Sequence, residues 1–326
     1  MPNVSVIVPV YNVEPYIARC VRSLFGQTLQ DMEFIFVDDC SQDRSMDIMW
    51  QILREEFPAR IPQVKATHMP QNSGQAKVRM KGISMVTGEY VIHCDSDDMV
   101  DPDTYRVLYE KAINETLDIV TCNYLEQRNG SWHLASGEFR GMKYSLERGA
   151  CWGLWTKLVR RDIVNKATVA PISNYGEDMV LAAQYMSLAK RIGHIERAYC
   201  YYYERETSIS RVPGKEATIV RWQSLCKNVS CVIAFLCQNC GYSGKEPELI
   251  NYKYFVRSLL VPYVNETYYY RLWRTTFPEI DRVFLFMPNI SLDTKFWFVL
   301  IHVRLYHSWK KITNSIRSWK ASNLGE

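Results

Sequence analysis

Three carboxylates fall within four positions at Asp95-Ser96-Asp97-Asp98, separated by His93-Cys94 from the apolar stub Val91-Ile92. β-Branched residues suit a packed, pleated surface, so Val91 and Ile92 read as the end of a buried strand. The acidic residues then lie where that strand leaves its sheet, and in open α/β sheets ligands bind at such carboxyl ends. Alternate residues of an extended segment point the same way, so Asp95 and Asp97 can face one ligand. Two hard oxygen donors facing one point suit Mg²⁺ or Mn²⁺, above all where phosphate oxygens complete the shell. Taken alone, the pair reads more readily as an acidic turn open to water.

The elements that must position these carboxylates can be read on either side of them. Val4–Val8 is a nearly all-apolar strand of the kind buried on both faces, and Pro9 should end it. A helix follows from Glu14-Pro15, with Ile17, Cys20, Val21, Leu24 and Phe25 at helical spacing. Met32–Val37 is a second strand, stopped by Asp38-Asp39-Cys40-Ser41. A second helix, a short strand at Val64–His68 and a helix from Gln75 to Val86 lead to the strand that ends in Asp95. This alternation predicts a mostly parallel sheet flanked by helices. Further on, Pro102–Asn114 reads as helix, Asp118–Tyr124 as strand, and 126–150 as a loop or hairpin. Gly176-Glu177-Asp178 opens a helix, where an Asp often serves only as a cap. A strand over Ile192–Tyr203 follows. From 212 the pattern turns helical, over Ile219–Gln238, Glu248–Thr276 and Lys295–Trp319. The predicted division is therefore 1–211 and 212–326.

Composition excludes several classes. The chain has 326 residues, is 47% hydrophobic and carries a net charge of +4. That charge is too weak to make nucleic acid its main partner. No Gly-x-Gly-x-x-Gly or Gly-x-x-x-x-Gly-Lys-Ser/Thr follows the first strand, which disfavours a dehydrogenase and a P-loop NTPase. Met1-Pro2-Asn3 leads straight into the first strand without a basic-then-apolar leader, so a cytoplasmic protein with reduced thiols is expected. Cys237-Gln238-Asn239-Cys240 has metal-ligand spacing, but no second such pair follows it, and packing is its expected role.

Four blocks in order resemble the family 2 glycosyltransferases of bacterial surface-polysaccharide synthesis. They are Val-Ile-Val-Pro-Val-Tyr-Asn (6–12), Val-Asp-Asp-Cys-Ser-x-Asp (37–43), Asn72-x-Gly74 through Arg79 to Asp-Ser-Asp-Asp (72–98), and Gly-Glu-Asp (176–178). The resemblance covers about residues 3–211. It implies a GT-A fold, a UDP-sugar donor, Mn²⁺ or Mg²⁺ as cofactor, and inversion at the anomeric carbon. It implies that Pro9 and Tyr11 line the nucleobase pocket and that Asp38, with Asp39 beside it, accepts from the uracil N3–H. Asp95 would meet the ribose and Asp97 the metal, and Lys77 and Arg79 would help to hold the nucleotide. Asp178 would be the base, with Glu177 next to it on the acceptor side. Trp155, Lys157 and Arg160 match a Trp-x-Lys-x-x-Arg pattern near the acceptor, and Ser208 lies in a loop that closes the site. Cys40 and Met80 depart from the usual Gly and Asn.

The implied chemistry agrees with the residue types. A leaving diphosphate is stabilised by a divalent cation acting as a Lewis acid. The acceptor hydroxyl must lose a proton, and a carboxylate within reach can take it. Direct displacement puts that base opposite the leaving group, hence on another segment, as Asp178 is. The alternative is a catalytically silent nucleotide-sugar-binding or scaffolding protein. The acceptor implied is a glycan or a lipid-linked sugar. Between Lys295 and Lys320 six Lys or Arg and no Asp or Glu occur, with apolar residues every three or four positions. A basic amphipathic helix of this kind is expected to lie on the inner face of the cytoplasmic membrane.

Overall fold

The computed structural model describes residues 1–148, 152–204, 212–287 and 290–306. The chain begins with β1 (Val4–Val10), α1 (Glu14–Phe25), β2 (Met32–Asp38), α2 (Ser45–Glu56) and β3 (Val64–His68). Next come α3 (Gln75–Ile83), β4 (Tyr90–His93), β5 (Met99–Val100) and α4 (Thr104–Asn114). They are followed by β6 (Ile119–Arg128), β7 (Ser131–Ala135), α5 (Met142–Arg148), β8 (Lys157–Arg160), α6 (Arg161–Lys166), α7 (Glu177–Leu188) and β9 (Ile192–Tyr202).

Among the described residues, nine strands form one sheet in the order β3-β2-β1-β4-β8-β6-β9-β5, with β7 paired to β6. Strands β3, β2, β1 and β4 are parallel, as are β6 and β9. Strands β8, β7 and β5 run against their neighbours. The sheet is thus more mixed than the alternation predicted. One cause is local: Asn129 and Gly130 both take positive φ (50° and 76°), the left-handed pair that a tight hairpin between β6 and β7 requires.

Pro9 does not end β1 but lies inside it, level with Val37. The Cys94 N–H donates to Ile7 O and the Asp39 N–H to Val10 O. Alternate residues bond opposite neighbours, so position 9 faces the β4 side. Pairing with β4 already stops at Ile7↔His93, and the missing proline N–H therefore costs no ladder bond.

Both sheet faces are covered. Val6 and Val8 of β1 pack with Phe34 and Phe36 of β2 against Ile17 and Leu24 of α1 and Met49 of α2. Ile7, with Val91 and Val159, packs against Leu181 and Tyr185 of α7. α3 lies closely on β1: a Cβ at Gly82 would sit 2.4 Å from Ile7 Cγ2. The helix ends at Ile83, three residues earlier than the pattern suggests.

The chain divides into two compact units, Met1–Val212 with Lys227–Tyr242 and Pro213–Cys226 with Ser243–Glu326. Residues 227–242 therefore join the first unit, beyond the boundary expected near 212. α8 (Lys215–Asn239) contributes residues to both. In the second unit, the long helix expected over Glu248–Thr276 is two, α9 (Pro247–Ser258) and α10 (Thr267–Thr275). Pro262 in the intervening 3-10 turn explains the break, since its ring would clash with the carbonyl of Ser258 in a continued helix. α11 (Ile280–Val283) and α12 (Leu292–His302) follow. Trp273, Phe284 and Phe298 form the aromatic centre of this unit. Buried Arg257 lies 3.7 Å from the Trp273 ring centroid and bonds Asp281 at 2.6 Å. The helix expected over Lys295–Trp319 ends at His302, and Arg304 takes a positive φ of 59°. Residues 307–319 of that prediction lie outside the described residues.

Candidate active site

The carboxyl ends of β1, β2 and β4 carry the first three sequence blocks to one edge of the sheet. Asn12, just past β1, takes a left-handed φ of 48°. Its side-chain oxygen accepts the Gln42 N–H at 2.8 Å, and its own N–H reaches Ser41 Oγ at 3.2 Å, which ties the first block to the second. Tyr11 beside it presents an exposed ring, the arrangement stacking on a base needs. The Asp38 carboxylate accepts the Ser41 N–H and lies 2.9 Å from His68 Nδ1. Asp39 is buried and turned away from solvent. Its two oxygens accept the N–H groups of Ser73 and Gly74 at 2.7 and 2.8 Å. Asp39 therefore fastens the 72–74 turn and opens α3. Cys40 adopts φ +63°, the left-handed region in which a residue with a β-carbon is strained.

Beyond β4, Asp95 and Asp97 are partly exposed and Asp98 is buried. The Arg19 guanidinium donates to the Asp97 carbonyl at 3.1 Å and lies over the Tyr203 ring. Asp98 Oδ1 accepts the Tyr203 N–H at 3.0 Å, while Oδ2 has no partner among the described residues. Burial, then the neighbouring Asp97 and Asp95, hold the Asp98 carboxyl well above the usual range. Its place is structural, under the loop.

Gly176, with φ 78°, turns the chain into α7, which opens on Glu177 and Asp178. The two segments meet through Arg79. Its NH2 donates to Asp95 Oδ1 at 2.7 Å and its Nε to Glu177 Oε1 at 3.2 Å, and NH1 lies 3.3 Å from His93 Nδ1. Burial, and then Arg79, push His93 well below its ordinary pKa, so the ring is neutral and Nδ1 can accept. Burial and then Asp178 push the Glu177 carboxyl up to about 7, against the pull of Arg79. Burial also raises Asp178, with Arg79, the Met179 N–H and Lys157 working the other way.

Of the predicted acceptor-side residues, Lys157 is buried on β8 and acts electrostatically on Asp178. Its Nζ donates to Gly153 O at 2.7 Å. Trp155 stacks parallel to Tyr202 with centroids 5.7 Å apart and meets Tyr124 edge-on. The structure does not bring Arg160 to the site. Because β8 runs antiparallel to β4, Arg160 pairs with Tyr90 at the amino end of that strand, where it bonds Asp118 and Asp162. Lys77 is exposed on α3, while Arg79, two residues on, is buried. Ser208 lies outside the described residues. Sequence reasoning missed Asn228 of α8. Fully buried, it accepts the N–H groups of Ile172 and Ser173 and donates to the carbonyls of Ser173 and Tyr175, fixing the approach to Gly176. No local pattern marks such a residue, since its partners lie more than fifty positions away.

The family model described as "Glycosyl transferase family 2" matches residues 5–160, which hold the first three blocks and, Val4 apart, β1 to β4. That stretch belongs to the family 2 glycosyltransferases. This glycosyltransferase is 29% identical over 265 residues to "Uncharacterized glycosyltransferase EpsJ" of Bacillus subtilis, an alignment covering 77% of this chain and 74% of that protein. Its fold is similar to the crystal structure of Staphylococcus aureus TarS 1-349 in complex with UDP-GlcNAc. The TM-score is 0.59 at 18% identity, over 98% of this chain and 92% of that one. A mannosyltransferase from Pyrobaculum calidifontis, in complex with GDP-Man and Mn²⁺, is similar with a TM-score of 0.50 at 16% identity, over 99% and 87% of the two chains. At these identities the solved structures speak for the fold alone. The glycosyltransferase has the GT-A fold, with a helical region after it.

Proposed function

We propose that this enzyme is an inverting, metal-dependent glycosyltransferase of surface-polysaccharide synthesis that moves a sugar from a UDP-sugar to a hydroxyl of a glycan or lipid-linked acceptor. The observation that carries this reading is the meeting of Asp95, from the acidic loop after β4, with Glu177 and Asp178 at the start of α7, through one buried arginine. Donor-side and base-side carboxylates thus share one site while standing on different elements, as direct displacement needs. Asp178 takes the acceptor proton. The acceptor oxygen bonds the anomeric carbon on the face opposite the diphosphate, and the bond from that carbon to the diphosphate breaks, its electron pair leaving with UDP. Tyr11 supports a stacked base, and Asp38 the uracil edge.

The donor set fits a hard divalent cation held jointly with phosphates. Asp95 and Asp97 offer oxygens, and among the described residues no cluster of three or more His, Cys, Asp or Glu side chains forms a cage of its own. Mg²⁺ and Mn²⁺ are characteristically held by one or two carboxylates plus substrate phosphates. When bound, the ion supplies charge neutralisation for the departing diphosphate. A panel of nucleotide sugars with Mn²⁺ tests the reading. UDP should be released from at least one UDP-sugar, EDTA should abolish the release, and calorimetry should show UDP binding tighter with metal than without. Asp97→Ala should remove that difference. Tight donor binding without turnover in the presence of acceptor extracts would favour the silent binding protein.

The reading includes a peripheral membrane contact. α12 is apolar on two faces. Phe298 and Ile301 are buried in the second unit, whereas Leu292 (82% exposed), Phe296, Val299 and Val303 (55% exposed) form an outward stripe at steps of four, three and four residues. Phe286, 85% exposed, precedes it. Lys295 and Arg304 flank the stripe, and the sequence beyond adds Lys310, Lys311, Arg317 and Lys320. An apolar face among cations suits an anionic bilayer surface, and no helix among the described residues is long and apolar enough to cross a membrane.

A further inference from the structure

We infer that Arg79 is a positioning residue of the transfer reaction rather than a nucleotide ligand: its guanidinium holds the acidic loop after β4 and the start of α7 at one fixed spacing. The inference deepens the proposed function and rests on its reading of Asp178 as the base.

Three observations carry it. Arg79 is only 2% exposed, so its side chain offers no surface to a nucleotide. All three of its nitrogens are engaged, NH2 with Asp95, Nε with Glu177 and NH1 with His93. Its partners also stand on separate elements: β4 and its following loop, and the first turn of α7. A guanidinium is suited to this role because its donors diverge in a rigid plane, whereas a lysine offers a single point charge. α3 can deliver the side chain there because Gly82 lets the helix lie on β1. Asn174, two residues before Gly176, accepts the Ala76 N–H at 3.3 Å, a second tie between α3 and the segment that leads to the base.

The charges explain what the tie does beyond spacing. Asp178 is faced by Arg79 from α3, Lys157 from β8, Asp95 from the loop after β4, and its neighbour Glu177 on α7. Burial works against its charged form, and the two cations favour it. A base must be ionised to accept a proton. Removing Arg79 therefore both loosens the spacing and leaves Asp178 protonated to a higher pH.

The test uses the full chain and compares Arg79→Met, Arg79→Lys, Glu177→Gln and the double variant Arg79→Met/Glu177→Gln. The double variant removes the cation together with one buried carboxylate, so it remains informative if Arg79→Met alone fails to fold. Rate against pH and UDP affinity by calorimetry are measured for each. Arg79→Met should lower kcat at pH 7 by about tenfold or more and move the acid limb of its pH profile up by about one unit. UDP affinity should stay within about threefold, and Arg79→Lys should recover only part of the rate. The same upward move should separate the double variant from Glu177→Gln. A tenfold or greater loss of UDP affinity, in either Met variant, would make Arg79 a nucleotide ligand and overturn the inference. An unchanged rate and acid limb would reduce it to a fold contact and overturn it equally. If the wild type transfers no sugar, the reading of Asp178 fails, and the affinity measurement alone then decides whether Arg79 touches nucleotide.

Discussion

Asp178 sits second in α7, with its Oδ1 accepting the Met179 N–H at 2.8 Å. That geometry suits a helix cap and a base alike, and substitution by Asn separates the two. Asp178→Asn keeps the shape and the hydrogen bond to the helix end but cannot take a proton. Sugar transfer should fall by about 10² or more, the usual scale for a lost general base, while calorimetry finds UDP affinity nearly unchanged. Near-full transfer by the variant would move the role to Glu177. Because burial raises the Asp178 pKa, the base is protonated over a wider range than an ordinary aspartate. Wild-type transfer should therefore decline with falling pH before the ordinary aspartate pKa of about 3.9 is reached. At this scale the sequence was legible where chemistry demands particular types at short spacing, as in Asp95-x-Asp97 and Gly176-Glu177-Asp178. It was less so where one motif meets opposed strands. Trp155-x-Lys157-x-x-Arg160 reads as one group, yet Lys157 acts on the base while the strand carries Arg160 to the other end of β4. Arg79 was visible as a basic residue, but not as a buried one.

Among the elements, the parallel strands β1 to β4 are tied at their amino ends by a group that no pattern marks. Glu33 of β2 is buried and accepts from Ser5 Oγ at 2.5 Å, Lys65 Nζ at 2.6 Å and Thr87 Oγ1 at 2.7 Å. Burial alone would raise its pKa. The bonds from Lys65, Ser5 and Thr87 outweigh that and hold it at about 2. The unfolded-state value, near 4.3, is higher, so the unfolded chain binds the proton first as pH falls. The Glu33 contribution is complete above that value and is lost on descent towards pH 2. Glu33→Gln should cost about 2–3 kcal/mol at pH 7, less than a fully buried pair because Lys65 reaches water. Denaturant unfolding should show the difference shrinking below pH 4.3, and a constant difference down to pH 2 would reject the argument. The apolar runs and the helix periods made β1 to α4 readable, since each buries a face of its own. Helix ends were less so. The break at Pro262 had a local sign, whereas no Pro or Gly lies between Lys295 and Tyr306 to mark the stop of α12 at His302.

For the whole molecule, the outward stripe of α12 gives the membrane reading a specific test. Truncation within the helix would remove Phe298 and Ile301 from the core of the second unit, so outward substitutions are the better probe. The wild type should float with anionic liposomes and lose binding in high salt, whereas Leu292→Glu/Val299→Glu should stay at the bottom with its thermal midpoint kept. Flotation by that variant equal to the wild type, or by neither protein, would reject the membrane contact.

The place of β8 in the sheet has a consequence for biosynthesis. By the time residue 93 leaves the ribosome, β2, β1 and β4 can already pair, but the outer edge of β4 waits for Val159 and Arg160. At about 5–20 residues per second that wait is roughly 3–13 s. Throughout it, Tyr90 and Val91 present open backbone groups beside an apolar strand, the kind of edge that recruits another chain. The nascent first half of this enzyme is therefore the stage at which it most needs shielding by a chaperone, and a pause placed between residues 93 and 157 should cost more yield than one placed later.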